Sequence, residues 1–367
     1  MKLWHDIDLD DLGVDLLFEA NYRREEPRIC LQMITWRHEK YIVKAVSSIL
    51  EQTYVNYQLV ISDDASPDNT KQILLDYLKS YTGLAQIFYF RQWKNGGIKG
   101  KGHVRLFKAM RRGEIVMTMD GDDFSISDRI EKTVQIWDSL EPKPSQMIVN
   151  AYRFIDANGE VDGLAHNDFG DLKTRKFFPP RNPIDAAFPV FGAGTVRSRE
   201  FADWCEQFAQ IGKIIAGDVV YARRALLHKG IWIVNEPLFY YRVNEASVSG
   251  KGIAGKIWWH DRYIRWLQLE SDYETIYGKN KVPIHIKRQL VYWIKRSNFS
   301  DRLIDMKLWK WLLLWPCFLF YSPGGAIGAL KCRLRLLLCG NTNIGLKTYI
   351  SSIVSKLINR FKRKVPL

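Results

Sequence analysis

Short apolar runs alternate with amphipathic segments over the first 123 residues of the chain. The apolar runs are nearly continuous, as expected of strands buried on both faces of a sheet, and they cover residues 29–36, 57–64, 85–90 and 114–123. The segments between them space apolar residues at helical intervals and cover residues 39–53, 69–81 and 102–113. This alternation predicts βαβ units, and therefore an α/β fold with a mostly parallel sheet.

Two groups of carboxylates stand where predicted strands end. Asp63 and Asp64 close the second strand, and Asp120, Asp122 and Asp123 close the fourth. Ligands of parallel α/β sheets bind beyond the carboxyl ends of the strands, so both groups are predicted to face one rim. Neighbouring like charges are unfavourable in the free protein, which favours a binding role for these residues.

The Asp120-Gly121-Asp122 sequence suits a divalent cation. Two carboxylates around a glycine can supply oxygen ligands to Mg²⁺ or Mn²⁺, which usually takes waters and substrate phosphates as its other ligands. Such an ion neutralises the charge of a diphosphate leaving group. An isolated Asp-x-Asp is more often a solvated loop, and its position at a strand end favours the functional interpretation here.

Other nucleotide-binding classes are disfavoured. The segments GIKGKGHVR and GAGTVR lack the last glycine of GxGxxG, and no GxxxxGK[ST] sequence occurs, which disfavours a dehydrogenase or a P-loop NTPase. The five cysteines form no CxxC or Cys/His ligand pattern, so a reducing compartment and no structural zinc are expected. The acidic N-terminal segment lacks the apolar core of a signal peptide and predicts a short helix docked on the main domain.

Several ordered motifs resemble glycosyltransferase family 2. They run from ICLQMITW through LVISDDASPDNT, NGG and GEIVMTMDGDD to FGAGTVRSREF, AGDVVYARR and NEPLFYYRVNEASVS. The resemblance implies the GT-A fold, which binds nucleotide sugars, and transfer of the sugar with inversion. It covers residues 27–250 and leaves the C-terminal region outside.

The resemblance assigns the nucleotide to the ends of the first two strands. Thr35 and Trp36 occupy the positions where the base and ribose lie, and Trp36 could stack on the base. Asp64 matches the carboxylate that accepts the N3–H of a pyrimidine, which favours a UDP- or dTDP-sugar donor. Asp63 is expected to hold the loop or the ribose.

The same resemblance assigns the diphosphate and the chemistry to other segments. Asp120 matches the nucleotide-side carboxylate and Asp122 the metal ligand, so Mg²⁺ or Mn²⁺ is the expected cofactor. Asp218 matches the general base that takes the proton of the acceptor hydroxyl, although a Gly-Asp before a helix is also a good N-cap. Arg224 and Arg242 match basic positions near the diphosphate, or are ordinary structural arginines.

The sequence departs from the family pattern at several positions, which bears on the metal site and on the kind of transfer. Arg37 replaces the usual Asn after the aromatic residue, and Asn244 stands where many members have a His that contacts the metal or diphosphate. The Gln-x-x-Arg-Trp sequence of processive synthases is absent, so addition of a single sugar is expected. His38, His103 and His166 show no metal-ligand spacing and are interpreted as ordinary surface or structural residues.

The net charge of +14 comes from the C-terminal region. Residues 251–367 hold 22 of the 54 Lys and Arg but six of the 40 Asp and Glu, which leaves 32 basic and 34 acidic residues in 1–250. Seven of the 13 tryptophans lie in the same C-terminal region. This asymmetry predicts two regions with different partners.

The tail has the pattern of a membrane-surface anchor. Residues 311–330 carry no charge, but Pro316 and the Ser-Pro-Gly-Gly at 322–325 interrupt them, and both flanks are basic. Residues 345–364 predict an amphipathic helix with a basic face. Packing on the catalytic domain and nucleic-acid binding are the alternatives, although no nucleic-acid-binding module is recognisable.

The sequence therefore predicts an N-terminal extension (1–26), a GT-A glycosyltransferase domain (27–250), a helical packing region (251–306) and a basic membrane-associating tail (307–367). The expected protein is a peripheral or monotopic enzyme on the cytoplasmic side of the inner membrane, acting in bacterial surface polysaccharide biosynthesis such as O-antigen assembly. Its expected partners are a nucleotide-sugar donor, a glycan or polyprenyl-diphosphate-linked acceptor and anionic lipid, but no nucleic acid. The alternatives are a nucleotide-sugar-binding protein without catalysis and a basic nucleic-acid-binding protein.

Overall fold

The computed structural model describes residues 4–96, 101–141, 147–160, 175–185, 194–211, 217–243 and 254–305. The chain forms two compact units. The first comprises Met1–Gly250 with Ser271–Lys281, and the second comprises Lys251–Glu270 with Val282–Leu367. All of the candidate site residues belong to the first unit.

Four parallel strands form the half of the sheet that the sequence predicts. They are β2 (Ile29–Thr35), β3 (Tyr57–Asp63), β4 (Gln86–Gln92) and β5 (Ile115–Asp120). Their order in the sheet is β4-β3-β2-β5, and the three pairings between neighbours are all parallel. Every residue of β3 is buried, as expected of a strand covered on both faces.

The connecting helices cover the two faces of this sheet. They are α2 (Ile42–Leu50), α3 (Thr70–Lys79), α4 (Lys101–Met110) and α5 (Arg129–Ser139). Leu31 on one face shares a cluster with Ile49 of α2, while Cys30 and Val60 on the other face pack with Leu106 of α4. Each fully buried aliphatic side chain of this kind contributes roughly 1.5–3 kcal/mol to folding. The predicted alternation of strands and helices is confirmed.

The register of the strands brings their carboxyl ends to one level. Thr35 of β2 pairs with Asp63 of β3, and Ile34 of β2 pairs with Asp120 of β5. The loops that follow β3 and β5 therefore start beside the end of β2. As the sequence predicts, the two acidic groups lie at the same edge of the sheet.

The rest of the sheet is mixed, so the prediction of a mostly parallel sheet is wrong for this half. Strand β9 (Thr195–Ser198) lies antiparallel between β5 and β7 (Met147–Ile155), and β10 (Ile231–Arg242) runs parallel to β7. The register of β10 shifts on both sides of Pro237, which hides its strand period in the sequence. Among the described residues, this half also contains the strands β6 (Phe124–Ser125) and β8 (Arg175–Phe178), both antiparallel to β10, and the helices α6 (Arg199–Trp204) and α7 (Gly217–His228).

The N-terminal segment adds a strand that the sequence analysis missed. Helix α1 (Leu9–Leu12) has only four residues, and β1 (Val14–Ala20) follows it and pairs antiparallel with β4. A register shift between Leu16 and Phe18 breaks the alternation of apolar and polar positions, so this strand lacks a clear period of two. The expected docked helix accounts for little of this segment.

Helices form the described part of the C-terminal region, as predicted. Helix α8 covers Ala254–Tyr277 and α9 covers Ile284–Asp305, and Trp266 stacks on Trp293 with 5.3 Å between ring centroids. None of the helices in the described ranges has the length and apolarity that a membrane span needs. The tail predicted at 307–367 lies outside the described residues, as do His166 and Asn244.

Candidate active site

Two hydrogen bonds from backbone N–H groups connect the loop after β2 with the loop after β3. The N–H of Asp64 donates to the Thr35 carbonyl over 2.9 Å, and the N–H of Arg37 donates to Ser66 Oγ over 3.1 Å. Arg37 and Ala65 have φ angles of 59° and 53°, in the left-handed region that few residues other than glycine occupy. Backbone strain of this kind is typical of functional loops.

Asp63 is fully buried and holds the loop after β3. Its Oδ1 accepts hydrogen bonds from the Ser66 N–H at 2.9 Å and the Ser66 hydroxyl at 2.5 Å, and its Oδ2 lies 3.6 Å from Arg91 Nε. Burial raises the pKa of Asp63, and the hydrogen bonds from Ser66 oppose that rise. These contacts are those of a residue that stabilises a loop.

Thr35 and Trp36 lie together at the end of β2 but differ in exposure. Thr35 is fully buried, and its Oγ1 lies 3.3 Å from His38 Nδ1. The Trp36 side chain is 43% exposed, with the Arg37 guanidinium 5.4 Å from its ring centroid. An exposed indole at a strand end offers a flat surface on which a nucleotide base could stack.

Asp64 is buried and receives hydrogen bonds from the loop after β4. The Gly96 N–H donates to its Oδ1 over 2.8 Å, and the Asn95 side-chain amide donates to its backbone carbonyl over 2.9 Å. His103 of α4 adds a third contact, because its Nε2 lies 3.3 Å from the same Oδ1. The sequence analysis treated His103 as an ordinary residue and missed this contact, although its place on the helix after the Asn-Gly-Gly loop was an available signal.

The turn Asp120-Gly121-Asp122 requires its glycine. The Gly121 N–H donates to the Ile34 carbonyl over 2.8 Å. A Cβ at Gly121 would lie 2.8 Å from both Thr35 Oγ1 and His38 Nδ1, closer than side chains normally approach. The absence of a side chain therefore lets the turn after β5 pack directly on the end of β2.

Negative charge is concentrated around Asp120. Burial, followed by the charges of Asp122 and Asp218, raises the pKa of Asp120 to about 7. Burial, followed by the charges of Asp122 and Asp120, also raises the pKa of Asp123 well above its usual range. Asp123 Oδ2 is buried and has no hydrogen-bond partner among the described residues. Asp218, in the first turn of α7, thus lies within electrostatic reach of the Asp-Gly-Asp turn.

These carboxylates fit a divalent cation. A positive ion would offset the repulsion that raises the pKa of Asp120. Magnesium is commonly held by one or two carboxylates together with waters and substrate phosphates. In the described part of the chain, no three His, Cys, Asp or Glu side chains form a ready-made metal site. Asp122 and Asp120 are the residues that would hold the ion, and its other ligands would come from solvent and the donor.

Both acidic groups lie in a segment that matches a known protein family. Residues 30–185 match the family model described as Glycosyl transferase family 2. The chain therefore contains a glycosyltransferase family 2 domain. The matched segment contains Asp64 and the Asp120-Gly121-Asp122 turn and ends before Asp218.

Curated relatives match parts of this chain. WfgD of Escherichia coli, named UDP-Glc:alpha-D-GlcNAc-diphosphoundecaprenol beta-1,3-glucosyltransferase, is 28% identical over 133 residues, 36% of this chain and 46% of that protein. The Bacillus subtilis (strain 168) protein EpsE is 29% identical over 114 residues, 29% of this chain and 37% of that protein. The matches to this chain therefore span less than half the length of either relative.

Solved structures share the fold. The crystal structure of S. aureus TarS 1-349 in complex with UDP has a TM-score of 0.53 and 17% sequence identity, over 82% of this chain and 80% of that chain. At this level of identity the likeness establishes the fold alone. The α/β architecture of this family 2 domain is GT-A-like, as the motifs implied.

Arg242 supports the loops around the carboxylates of the family 2 domain. Its backbone N–H donates to Asp123 Oδ1 over 2.8 Å, and its side-chain Nε donates to the Asp122 carbonyl over 2.8 Å. Its Nη1 donates to the carbonyls of Asp156 and Ala157 over 2.8 and 3.1 Å. Of the two roles considered for Arg242, these contacts favour the structural one over contact with a diphosphate.

Arg224 is paired with a carboxylate outside the rim. Its Nε and Nη2 donate to the two carboxylate oxygens of Asp272 over 2.8 and 3.0 Å, and both residues are buried. Its guanidinium lies 4.6 Å from the ring centroid of Phe208. These contacts again favour the structural role over the expected position near the diphosphate.

We expect Arg224→Met to lower the free energy of unfolding by about 3–5 kcal/mol, because Asp272 would be left buried without its ion-pair partner. Urea unfolding measures this change. The double variant Arg224→Met/Asp272→Leu should recover much of the loss, since it removes both charges. In both variants, the folded protein should bind UDP as the wild type does. If Arg224→Met keeps normal stability but loses affinity for UDP, Arg224 contributes to nucleotide binding and the structural role is wrong.

Proposed function

We propose that the chain transfers a single sugar from a UDP- or dTDP-sugar to a hydroxyl of a glycan or lipid-linked acceptor in bacterial surface polysaccharide biosynthesis. The observation that carries the proposal is the placement of Asp64 and the Asp120-Gly121-Asp122 turn at neighbouring strand ends within a family 2 domain. The charge of Asp218 also acts on Asp120. WfgD is named for a UDP-Glc donor and a diphosphoundecaprenol-linked acceptor, and the TarS structure contains UDP. Both names favour a uridine nucleotide and, for WfgD, a lipid-linked acceptor.

Asp64 and Trp36 account for binding of the base. The carboxylate of Asp64, held by the Gly96 N–H, accepts the N3–H of uracil or thymine, a group that cytosine lacks. The exposed ring of Trp36 stacks on the base. The diphosphate then extends toward the Asp120-Gly121-Asp122 turn, which lies across the end of β2 from Asp64.

Asp218 acts as the general base. As the acceptor oxygen bonds to the anomeric carbon, Asp218 takes the hydroxyl proton, and the bond from that carbon to the diphosphate oxygen breaks. The nucleoside diphosphate leaves with the electron pair of that bond. When bound by Asp122 and Asp120, Mg²⁺ or Mn²⁺ neutralises the charge on the leaving group. Attack on the face opposite the diphosphate inverts the anomeric carbon.

We expect Asp122→Asn to abolish both transfer and metal-dependent stabilisation. The substitution keeps the size of the side chain but removes a charged oxygen ligand. The wild type with UDP should gain thermal stability when Mn²⁺ is added, and Asp122→Asn with UDP should not. Differential scanning fluorimetry and an initial-rate assay measure the two effects.

Asp76→Asn is the matched control for this test, because Asp76 lies on α3 with an exposed carboxylate. It should retain both the stabilisation by Mn²⁺ and the transfer rate. Wild-type rates in the presence of a chelator, or in Asp122→Asn, would remove the metal from the proposed mechanism.

Asp218→Asn separates a base from a structural residue. Helix α7 begins at Gly217, so Asp218 lies inside its first turn and not at the N-cap position considered from the sequence. The Val219 N–H donates to Asp218 Oδ1 over 2.8 Å, and an asparagine oxygen can accept the same bond. The variant should therefore keep its thermal midpoint and its affinity for UDP. It cannot take a proton, so the transfer rate should fall by about 10²–10⁴-fold. A rate close to that of the wild type would leave Asp218 with a structural role in the first turn of α7.

We further propose that the tail holds the enzyme on the anionic cytoplasmic face of the inner membrane. The basic surplus of residues 251–367 and the amphipathic pattern of 345–364 support this location. The full chain should float with vesicles that contain phosphatidylglycerol, and less so in high salt. Reversal of three charges (Lys356→Glu, Arg360→Glu and Lys364→Glu) should release it, since each basic residue contributes about 1 kcal/mol. Equal flotation of both chains would contradict an electrostatic anchor.

A further inference from the structure

A buried chain of polar contacts ends at Asp64. His103 on α4 is buried, with its Nδ1 2.7 Å from Ser62 Oγ and its Nε2 3.3 Å from Asp64 Oδ1. Ser62 Oγ also lies 3.0 Å from the side-chain Nε2 of Gln92. The chain Gln92–Ser62–His103–Asp64 thus connects β4, β3 and α4 to the site proposed for the nucleotide base.

The amide N–H of Gln92 donates to Ser62 Oγ, and the Ser62 hydroxyl is within hydrogen-bond distance of His103 Nδ1. When the Ser62 hydroxyl donates to Nδ1, a neutral imidazole carries its proton on Nε2, the nitrogen that lies 3.3 Å from Asp64 Oδ1. In this arrangement the polar contacts run from Gln92 toward the carboxylate.

Packing fixes both ends of this chain. A Cβ at Gly102 would collide with the amide oxygen of Gln92, so the glycine before His103 leaves space for that amide. The ring of His103 lies against Phe107, with 6.3 Å between centroids and 28° between ring planes. His103 consequently has little freedom to turn away from Asp64.

We propose that His103 is a positioning residue for recognition of the nucleotide base, a role that rests on the function proposed above for Asp64. The Gly96 N–H donates to one oxygen of the Asp64 carboxylate over 2.8 Å, and His103 Nε2 lies 3.3 Å from the same oxygen. The two polar contacts on that oxygen restrict rotation of the carboxylate, and the bond from Gly96 is charge-assisted when the carboxylate is ionised. Asp64 is thereby oriented to accept the N3–H of a uracil or thymine base. The ligands that depend on His103 are uridine and thymidine diphosphates.

Two variants of the full chain test this role. His103→Phe keeps a ring but removes both nitrogens, whereas His103→Gln keeps an N–H donor near the position of Nε2. We expect His103→Phe to raise the Kd of UDP about tenfold, the effect of losing one polar contact to a charged group. The donor KM should rise with it, and kcat should stay near the wild-type value. His103→Gln should restore most of the UDP affinity.

Selectivity separates positioning from a merely structural role. Cytidine diphosphate offers no N3–H, so its Kd should change little in His103→Phe and the preference for UDP over CDP should collapse. His228→Phe is the matched control, because His228 is an imidazole stacked 4.3 Å from Trp204 in a different cluster. It should leave both nucleotide affinities unchanged. Ser62→Ala, which keeps His103 but removes its Nδ1 partner, should also weaken UDP more than CDP if His103→Phe does not fold.

The outcomes distinguish failure of the positioning role of His103 from failure of the proposed function. A folded His103→Phe that binds UDP as the wild type does, or that loses UDP and CDP equally, would overturn the positioning role and leave the proposed transferase intact. If His103→Phe does not fold, equal effects of Ser62→Ala on UDP and CDP would overturn that role. A wild-type chain that binds neither UDP nor dTDP would overturn the proposed donor class together with the role of His103.

Discussion

The parallel pairing of β2 with β3 on one side and with β5 on the other determines where the candidate functional groups lie. Because Thr35 is aligned with Asp63, and Ile34 with Asp120, the three strands end at one level. A shift of two residues in either pairing would move one acidic group along the sheet by roughly 6–7 Å. The carboxylate proposed for the base and the pair proposed for the metal would then no longer span one nucleotide diphosphate.

This alignment concentrates negative charge that nearby arginines do little to offset. Arg242 directs its donors to loop carbonyls, and Arg224 is bound to Asp272. Arg129 at the start of α5 is fully buried, and burial lowers its pKa to about 10 although Asp123 opposes the change. Burial and, after it, the charges of Asp122 and Asp218 raise the pKa of Asp120. The proposed cation would offset the charge part of this effect.

The parts of the fold that the sequence predicts are those with a local signal. Buried strands such as β3 are short apolar runs, and their ends are marked by carboxylates, so the β4-β3-β2-β5 half and its acidic rim could be predicted. Strand β9 has four residues and β10 is interrupted at Pro237, which leaves little local pattern. The contacts of individual side chains could not be predicted from the sequence, because the partners are far apart along the chain. His103 and Ser62 are separated by 41 residues, and Arg224 and Asp272 by 48. No periodicity encodes such pairs.

Strand β1 has a consequence for solubility. Without it, β4 would end this side of the sheet, and its Ile87–Phe90 run would present unpaired backbone groups beside apolar and aromatic side chains. Such an edge invites pairing with a second chain and aggregation. The strand that replaces it carries Asp15 and Glu19 and an irregular register, both of which discourage a further strand from joining. Residues ahead of the family segment thus keep the backbone groups of the Ile87–Phe90 run paired within the chain.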